Sequence, residues 1–172
     1  MNHLLLIGFM GAGKSTVGRL VAEQLDLPFV DTDSLVQLQD GRTVAEIFAQ
    51  DGEAGFRTLE TAAVQSLTTM TPSVVACGGG VVLSDANRAM LKGLGTAIYL
   101  RVTAAETLAR VGGDGTRPLL SGAGGALAAG KLLEAREVLY SATADVVVDT
   151  VDRTAAAVAQ EIVLMAQERG LR

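Results

Sequence analysis

The apolar run LLLI at 4–7 passes without a break into GFMGAGKS, which places Gly8, Gly11, Gly13, Lys14 and Ser15 at the spacing of a phosphate-binding loop. No other stretch limits the fold as tightly. The pattern works only when a strand enters it and a helix leaves it. Its glycines let successive backbone N–H groups turn inward, and the helix N-terminus adds partial positive charge. Lys14 then reaches the outer phosphates and Ser15 offers its hydroxyl to Mg²⁺. Gly11, Ala12, Gly13, Lys14, Ser15 and Thr16 are therefore the expected phosphate-binding residues.

Further short apolar runs repeat the strand signature: LPFV (27–30), VVA (74–76), AIYL (97–100) and VVV (146–148). Longer helix-compatible stretches separate them, as in a parallel sheet covered on both faces, so the chain reads as α/β. With 172 residues, 49% of them apolar and few aromatic, one domain over 1–172 with an aliphatic core is expected. The formal net charge is −5 and no basic block occurs, which argues against general binding to nucleic acid or an anionic membrane. Any bound anion must be held by local donors. Cys77 is the only cysteine and His3 the only histidine, which excludes a disulfide framework and a Cys/His zinc centre. Cys77, closing VVAC, reads as a small core residue, and His3 as a solvated residue ahead of the first strand. The apolar start is short, lacks preceding basic residues and runs into Lys14, so no signal or membrane span is read and a soluble, cytoplasmic protein is expected. Absence of an apolar surface stripe points to a monomer. Thr154–Gln167 reads as an amphipathic helix packed on the sheet.

The phosphate chemistry is narrowed by what is missing. The only asparagines are Asn2 and Asn87, so there is no Asn-Lys-x-Asp guanine reader, and no Asp-x-x-Gly sensor occurs either. That argues against a GTPase. An acidic group at a strand end should help hold the metal, and Asp31 after LPFV and Asp149 after VVV both qualify. Asp31 is preferred for its neighbour. In an extended strand end, Asp31 and Asp33 would turn both carboxylates to one side, one to the metal through water and one to a substrate hydroxyl. The plainer alternative is that Asp33 begins a helix, with Ser34 and Gln37 at capping-box spacing.

Arg57 stands four residues after Glu53 and three before Glu60, so it is either a helical ion-pair partner or a planar fork for a carboxylate. Arg136, with Glu134 and Glu137 nearby, has the same two readings. The glycines at 78–80 make either a loose turn or a place where a ligand approaches the backbone. From Val111 to Gly130 the text is glycine-rich and should be mobile at least in its first half, with Arg117 at its centre. A kinase needs such a lid, at about 112–125, to close over ATP, exclude water and bring positive charge to the transferring phosphoryl group.

Together GxxGxGKS at 8–15, DTD at 31–33, DGE and FR at 51–57 with Glu60, GGG at 78–80, TRPLL at 116–120, and Arg136, Tyr140 and Ala144 resemble the shikimate kinase family, in its order and over nearly the whole chain. The resemblance implies a five-stranded parallel sheet of order 2-3-1-4-5, as in nucleoside monophosphate kinases. It implies transfer of the γ-phosphate of ATP to the 3-hydroxyl of shikimate, in aromatic amino-acid biosynthesis. Lys14, Asp33 and Arg117 would then be catalytic, with Asp33 the base. Asp33, Arg57, Gly79, Gly80 and Arg136 would bind shikimate, with Phe48 and Phe56 as apolar walls. Ser15 and Asp31 would hold Mg²⁺, Asp31 through water. Arg110 would stack on adenine and Arg117 close over the phosphates. Some members carry a proline on the other face of adenine. Here the stretch is DRTAA, which leaves Arg153 or backbone in that place. Two other readings compete: a different small-molecule kinase on the same fold, such as a gluconate kinase, and a non-catalytic ATP-sensing module.

Overall fold

The computed structural model describes residues 3–111 and 125–170. Five parallel strands form one sheet: β1 (His3–Ile7), β2 (Phe29–Asp31), β3 (Val74–Ala76), β4 (Gly95–Arg101) and β5 (Val146–Asp149), in the order β2-β3-β1-β4-β5. The order matches that implied by the family resemblance. Each apolar run of the sequence becomes a strand, and Leu4, Leu5, Leu6 and Ile7 of the central β1 are at most 1% exposed. Burial on both faces is why that strand is continuously apolar rather than alternating.

The helices are α1 (Lys14–Leu25), α2 (Thr32–Asp40), α3 (Val44–Ser66), α4 (Asp85–Leu94), α5 (Ala104–Val111), α6 (Gly125–Thr143) and α7 (Ala155–Glu168). Helix α7 is the expected C-terminal helix. Thr154 caps it through a hydroxyl that accepts Ala157 N–H, and it buries Val158, Ala159, Ile162, Val163 and Ala166. Helix α3 starts from a capping box of Thr43 and Glu46 and breaks at Gly52 (φ 69°), so its second half, carrying Arg57 and Glu60, is a separate helical segment.

One sequence expectation differs from the structure here. His3 is not solvated. It begins β1, is fully buried, accepts Ser73 N–H at Nδ1 (3.1 Å) and lies 3.1 Å from the Leu67 carbonyl through Nε2. Only the Nε2–H tautomer satisfies both contacts. In the glycine-rich text, residues 125–130 form the first part of α6, beyond the half expected to be mobile. Apart from Gly125, the proposed lid, with Arg117, lies outside the described residues. Cys77 is the core residue expected of it, 1% exposed, and burial pushes its thiol up to about 12.

Candidate active site

The phosphate loop joins β1 to α1. Gly13 is the N-cap of α1 at φ 88°, a left-handed conformation that a side-chain-bearing residue adopts only with strain. From there Lys14 folds back across its own loop, its Nζ donating to the carbonyls of Gly8 (2.8 Å) and Phe9 (2.9 Å). Thr107, on α5, braces the loop from outside by donating to the Met10 carbonyl (3.3 Å).

Ser15 Oγ donates to Asp31 Oδ2 (2.8 Å), which brings together the hydroxyl and the carboxylate expected at the metal. The local geometry of DTD differs from the extended pair read from sequence. The strand ends at Asp31 and α2 begins at Thr32, with Asp31 rather than Ser34 as the N-cap. Asp31 Oδ1 accepts the N–H groups of Asp33 (3.0 Å) and Ser34 (3.3 Å), while Gln37 accepts Val44 N–H instead of closing a capping box. Asp33 is thus in the first turn of α2. It still faces the site: a Cβ on Gly78 would lie 2.6 Å from Asp33 Oδ1 and 3.0 Å from Glu60 Oε1. Asp149, the other strand-end carboxylate, is occupied by an ion pair with Arg101.

The GGG turn follows β3. Thr32, fully buried between the two aspartates, accepts Gly78 N–H through its hydroxyl (2.8 Å) and so ties this turn to DTD. Sequence reasoning missed both Thr32 and Gly78. The motif spacing pointed at the acids and at the later glycines, and the contact spans 46 residues. Val81 N–H and Leu83 N–H are used inside the turn, by the carbonyls of Gly78 and Gly80. Among the described residues, the N–H groups of Gly79 and Gly80 make no hydrogen bond. Gly80 is buried and Gly79 half-buried, and such donors are normally paired, so this turn offers donors to a ligand acceptor.

Arg57 lies across Gly80: a Cβ there would sit 2.1 Å from Nη1. The ion-pair reading of Arg57 is the one the structure displays. Its Nη1 donates to both oxygens of Glu60 (2.9 and 2.8 Å) and Nη2 to the more exposed Glu53 (3.2 Å), while the guanidinium stays against the glycine turn. Glu60 is 1% exposed, and burial pushes its carboxyl above its ordinary value despite the Arg57 charge beside it. Arg136, on α6, is 8% exposed, and its Nε has no hydrogen-bond partner among the described residues. Its Nη1 donates to the Gly79 carbonyl (3.4 Å) and its guanidinium carbon is 6.0 Å from the Phe9 ring centre. A buried cation with an open donor is a place for an anion. Phe48 and Phe56 stack at 4.7 Å beside this end, Phe56 buried and Phe48 40% exposed.

The Glu60–Arg57 pair yields a pH prediction. Because the folded carboxyl is raised, the native state binds this proton more readily than the unfolded chain, so Glu60 favours folding as pH falls and costs stability once ionised. Its ionised form holds Arg57. On the reading in which Arg57 holds the acceptor, the KM for the acceptor should therefore rise on the acid side, at pH values above the ordinary Glu value of 4.5. Glu60→Gln should raise that KM about tenfold at neutral pH, flatten its acid-side dependence and leave the thermal midpoint unchanged or higher. Initial-rate profiles of both proteins across pH check this, and an unchanged KM in Glu60→Gln refutes it.

On the opposite side of the loop, Ala12, Gly13, Thr16, Arg110, Thr150 and Arg153 line a groove. Arg110 donates to the carbonyls of Gly11 (3.3 Å) and Thr150 (2.9 Å) and pairs with Glu106 (2.7 Å). Arg153 donates to the Asp149 carbonyl (3.1 Å) and pairs with Glu161 (2.6 Å). Arg110 and Arg153 therefore line one groove beside the phosphate loop, each held by protein partners.

Known proteins were compared with this chain. The family model described as shikimate kinase matches residues 10–167. The shikimate kinase of Pseudomonas entomophila is 43% identical over 153 residues, 89% of each chain, and that of Rhodococcus jostii 43% over 159 residues, 92% of this chain and 94% of that one. Among solved structures, a shikimate kinase from Acinetobacter baumannii in complex with shikimate superimposes with a TM-score of 0.93 at 36% identity, covering 100% of this chain and 96% of that one. With the sheet order and the phosphate loop in agreement, the chain belongs to the shikimate kinase family.

Proposed function

We propose that this chain transfers the γ-phosphate of ATP to the 3-hydroxyl of shikimate, giving shikimate 3-phosphate and ADP, in aromatic amino-acid biosynthesis. One observation carries the reading: the phosphate loop, the half-buried Arg57 and the buried Arg136 converge on the GGG turn, where a Cβ on Gly79 would be 3.7 Å from Met10 N. The binding of shikimate by the Acinetobacter relative supports the choice of acceptor.

Arg57 and Arg136 grip the shikimate carboxylate, and Gly79 and Gly80 present backbone donors. Asp33 accepts the proton of the attacking hydroxyl, and Lys14 stabilises charge on the phosphoryl oxygens in an in-line transfer. Arg117 adds positive charge from the segment after α5. Gly11, Ala12, Gly13 and Thr16 cradle the phosphates, and Arg110 and Arg153 flank the base. For Mg²⁺ the hard oxygens of Ser15 and Asp31, already paired at 2.8 Å, are a fitting donor set. When bound, the ion neutralises phosphate charge. Asp31 meanwhile orients Asp33 by accepting its N–H, a task independent of the metal.

A carboxylate clamp discriminates against acceptors without a carboxylate, and a pure ATP sensor has no use for a base beside it. Among the described residues no helix is long and apolar enough to cross a membrane, in keeping with a cytoplasmic enzyme acting on small molecules. The test is ADP release with Mg²⁺ and ATP against shikimate, quinate, gluconate, AMP and water. Turnover confined to shikimate is expected. Turnover with gluconate or AMP instead would discard the clamp, and ATP binding with no turnover would leave a sensing module.

A further inference from the structure

Tyr140 lies one turn after Arg136 on α6 and is fully buried, its ring stacked on Tyr99 at 5.1 Å. Its hydroxyl donates to the Gly79 carbonyl at 2.5 Å, the same carbonyl that receives Arg136 Nη1. We propose that Tyr140 is a positioning residue for the acceptor: by holding the Gly79 carbonyl toward α6 it turns the N–H of the same peptide, that of Gly80, toward the acceptor pocket.

Planarity carries the argument. In a trans peptide the C=O of one residue and the N–H of the next point in opposite directions, so fixing one fixes the other. The chain has no cis peptide bond among its described residues. Glycine at 79 and 80 lacks the side chain that would otherwise limit rotation of this peptide, so a bond from outside the turn has to set its orientation. Burial raises the phenol to about 12, which keeps the hydroxyl protonated and donating at neutral pH. Arg136 alone is a poor substitute, since its bond to this carbonyl is 3.4 Å long and its charge is needed by the acceptor.

The inference rests on the reading of the GGG turn as part of the shikimate pocket. Tyr140→Phe retains the ring stack and removes one donor. Calorimetric titration should give a shikimate Kd about tenfold weaker than the parent's, with ADP affinity within about twofold and kcat within about threefold. Shikimate affinity within about twofold of the parent overturns the proposal, and so does equal weakening of ADP and shikimate, which marks a general packing defect. A parent enzyme that gives no heat with shikimate overturns the underlying reading as well, and is distinguishable by that control.

Should Tyr140→Phe fail to fold, Tyr99→Phe decides. The chain has two tyrosines and no tryptophan, so in that variant Tyr140 is the only phenol. The Tyr99 hydroxyl has no hydrogen-bond partner among the described residues, so its removal breaks no bond. Shikimate should then shift the near-ultraviolet absorption of Tyr140, and a silent spectrum under saturating shikimate overturns the proposal.

Discussion

Asp33→Asn is expected to lower kcat with shikimate by about 10³- to 10⁴-fold while ADP affinity stays within about twofold. The substitution keeps the size and much of the hydrogen-bonding of the side chain and removes its capacity to take a proton. Its surroundings are insulated from the change. Asp33 is held by its backbone, through Asp31 Oδ1, and Asp31 is in turn fixed by Ser15. The α2 N-terminus favours negative charge at this point, which suits a group that must be ionised to act as base. Single-turnover phosphoryl transfer and calorimetric titration with ADP check the two halves of the prediction. A kcat within about tenfold of the parent would remove Asp33 from the role of base and leave it as a hydroxyl ligand.

The parts of this site legible in the sequence are those built from contiguous residues. The phosphate loop reads directly because the strand, turn and helix it requires are adjacent in the chain, and the strands of the sheet read because their burial makes them continuously apolar. Arg57 and Arg136 were legible one by one as cations and as a pair only through the family resemblance, since 79 residues separate them and it is the GGG turn that brings them together. DTD was legible as a site and misread as geometry. Whether a strand-end aspartate continues the strand or caps a helix depends on which donors reach it, and here Ser15, Asp33 and Ser34 all do.

Thr32, Gly78 and His3 escaped for one shared reason. Each owes its position to a partner 46 to 70 residues away, so that even inside the marked DTD and GGG stretches the contact itself could not be read. His3 shows the cost of reading polarity as exposure. Its two ring nitrogens find partners at the start of the central strand, so burial leaves neither unsatisfied. Tyr140 was visible only as a family position, and its task emerges from the carbonyl it faces.

Lys14→Met should lower kcat by about 10³-fold, the upper end for removing a single preorganised donor at a site of developing charge. Methionine matches the length and apolar stem of lysine without its ammonium, so the loss is of charge and hydrogen bonds rather than volume. Two effects combine in this variant. The phosphoryl oxygens lose a cation, and the carbonyls of Gly8 and Phe9 lose the donor that crosses the loop. ATP binding should weaken as well, because the cation contacts the ground state too. Shikimate affinity separates a local lesion from a general one. On the proposed reading the acceptor is gripped by Arg57, Arg136 and the GGG turn, and among the described residues none of these hydrogen-bonds to Lys14, so its Kd should stay within about twofold, the range for sites without shared partners. Lys14→Arg should not restore the rate, since a planar guanidinium does not fit a place made for a compact ammonium under two carbonyls. On the proposed reading a chain of net charge −5 holds its two anionic substrates on separate sets of donors, so removing one set should leave the other intact. Loss of shikimate binding in Lys14→Met would contradict that division and place both anions in one shared field.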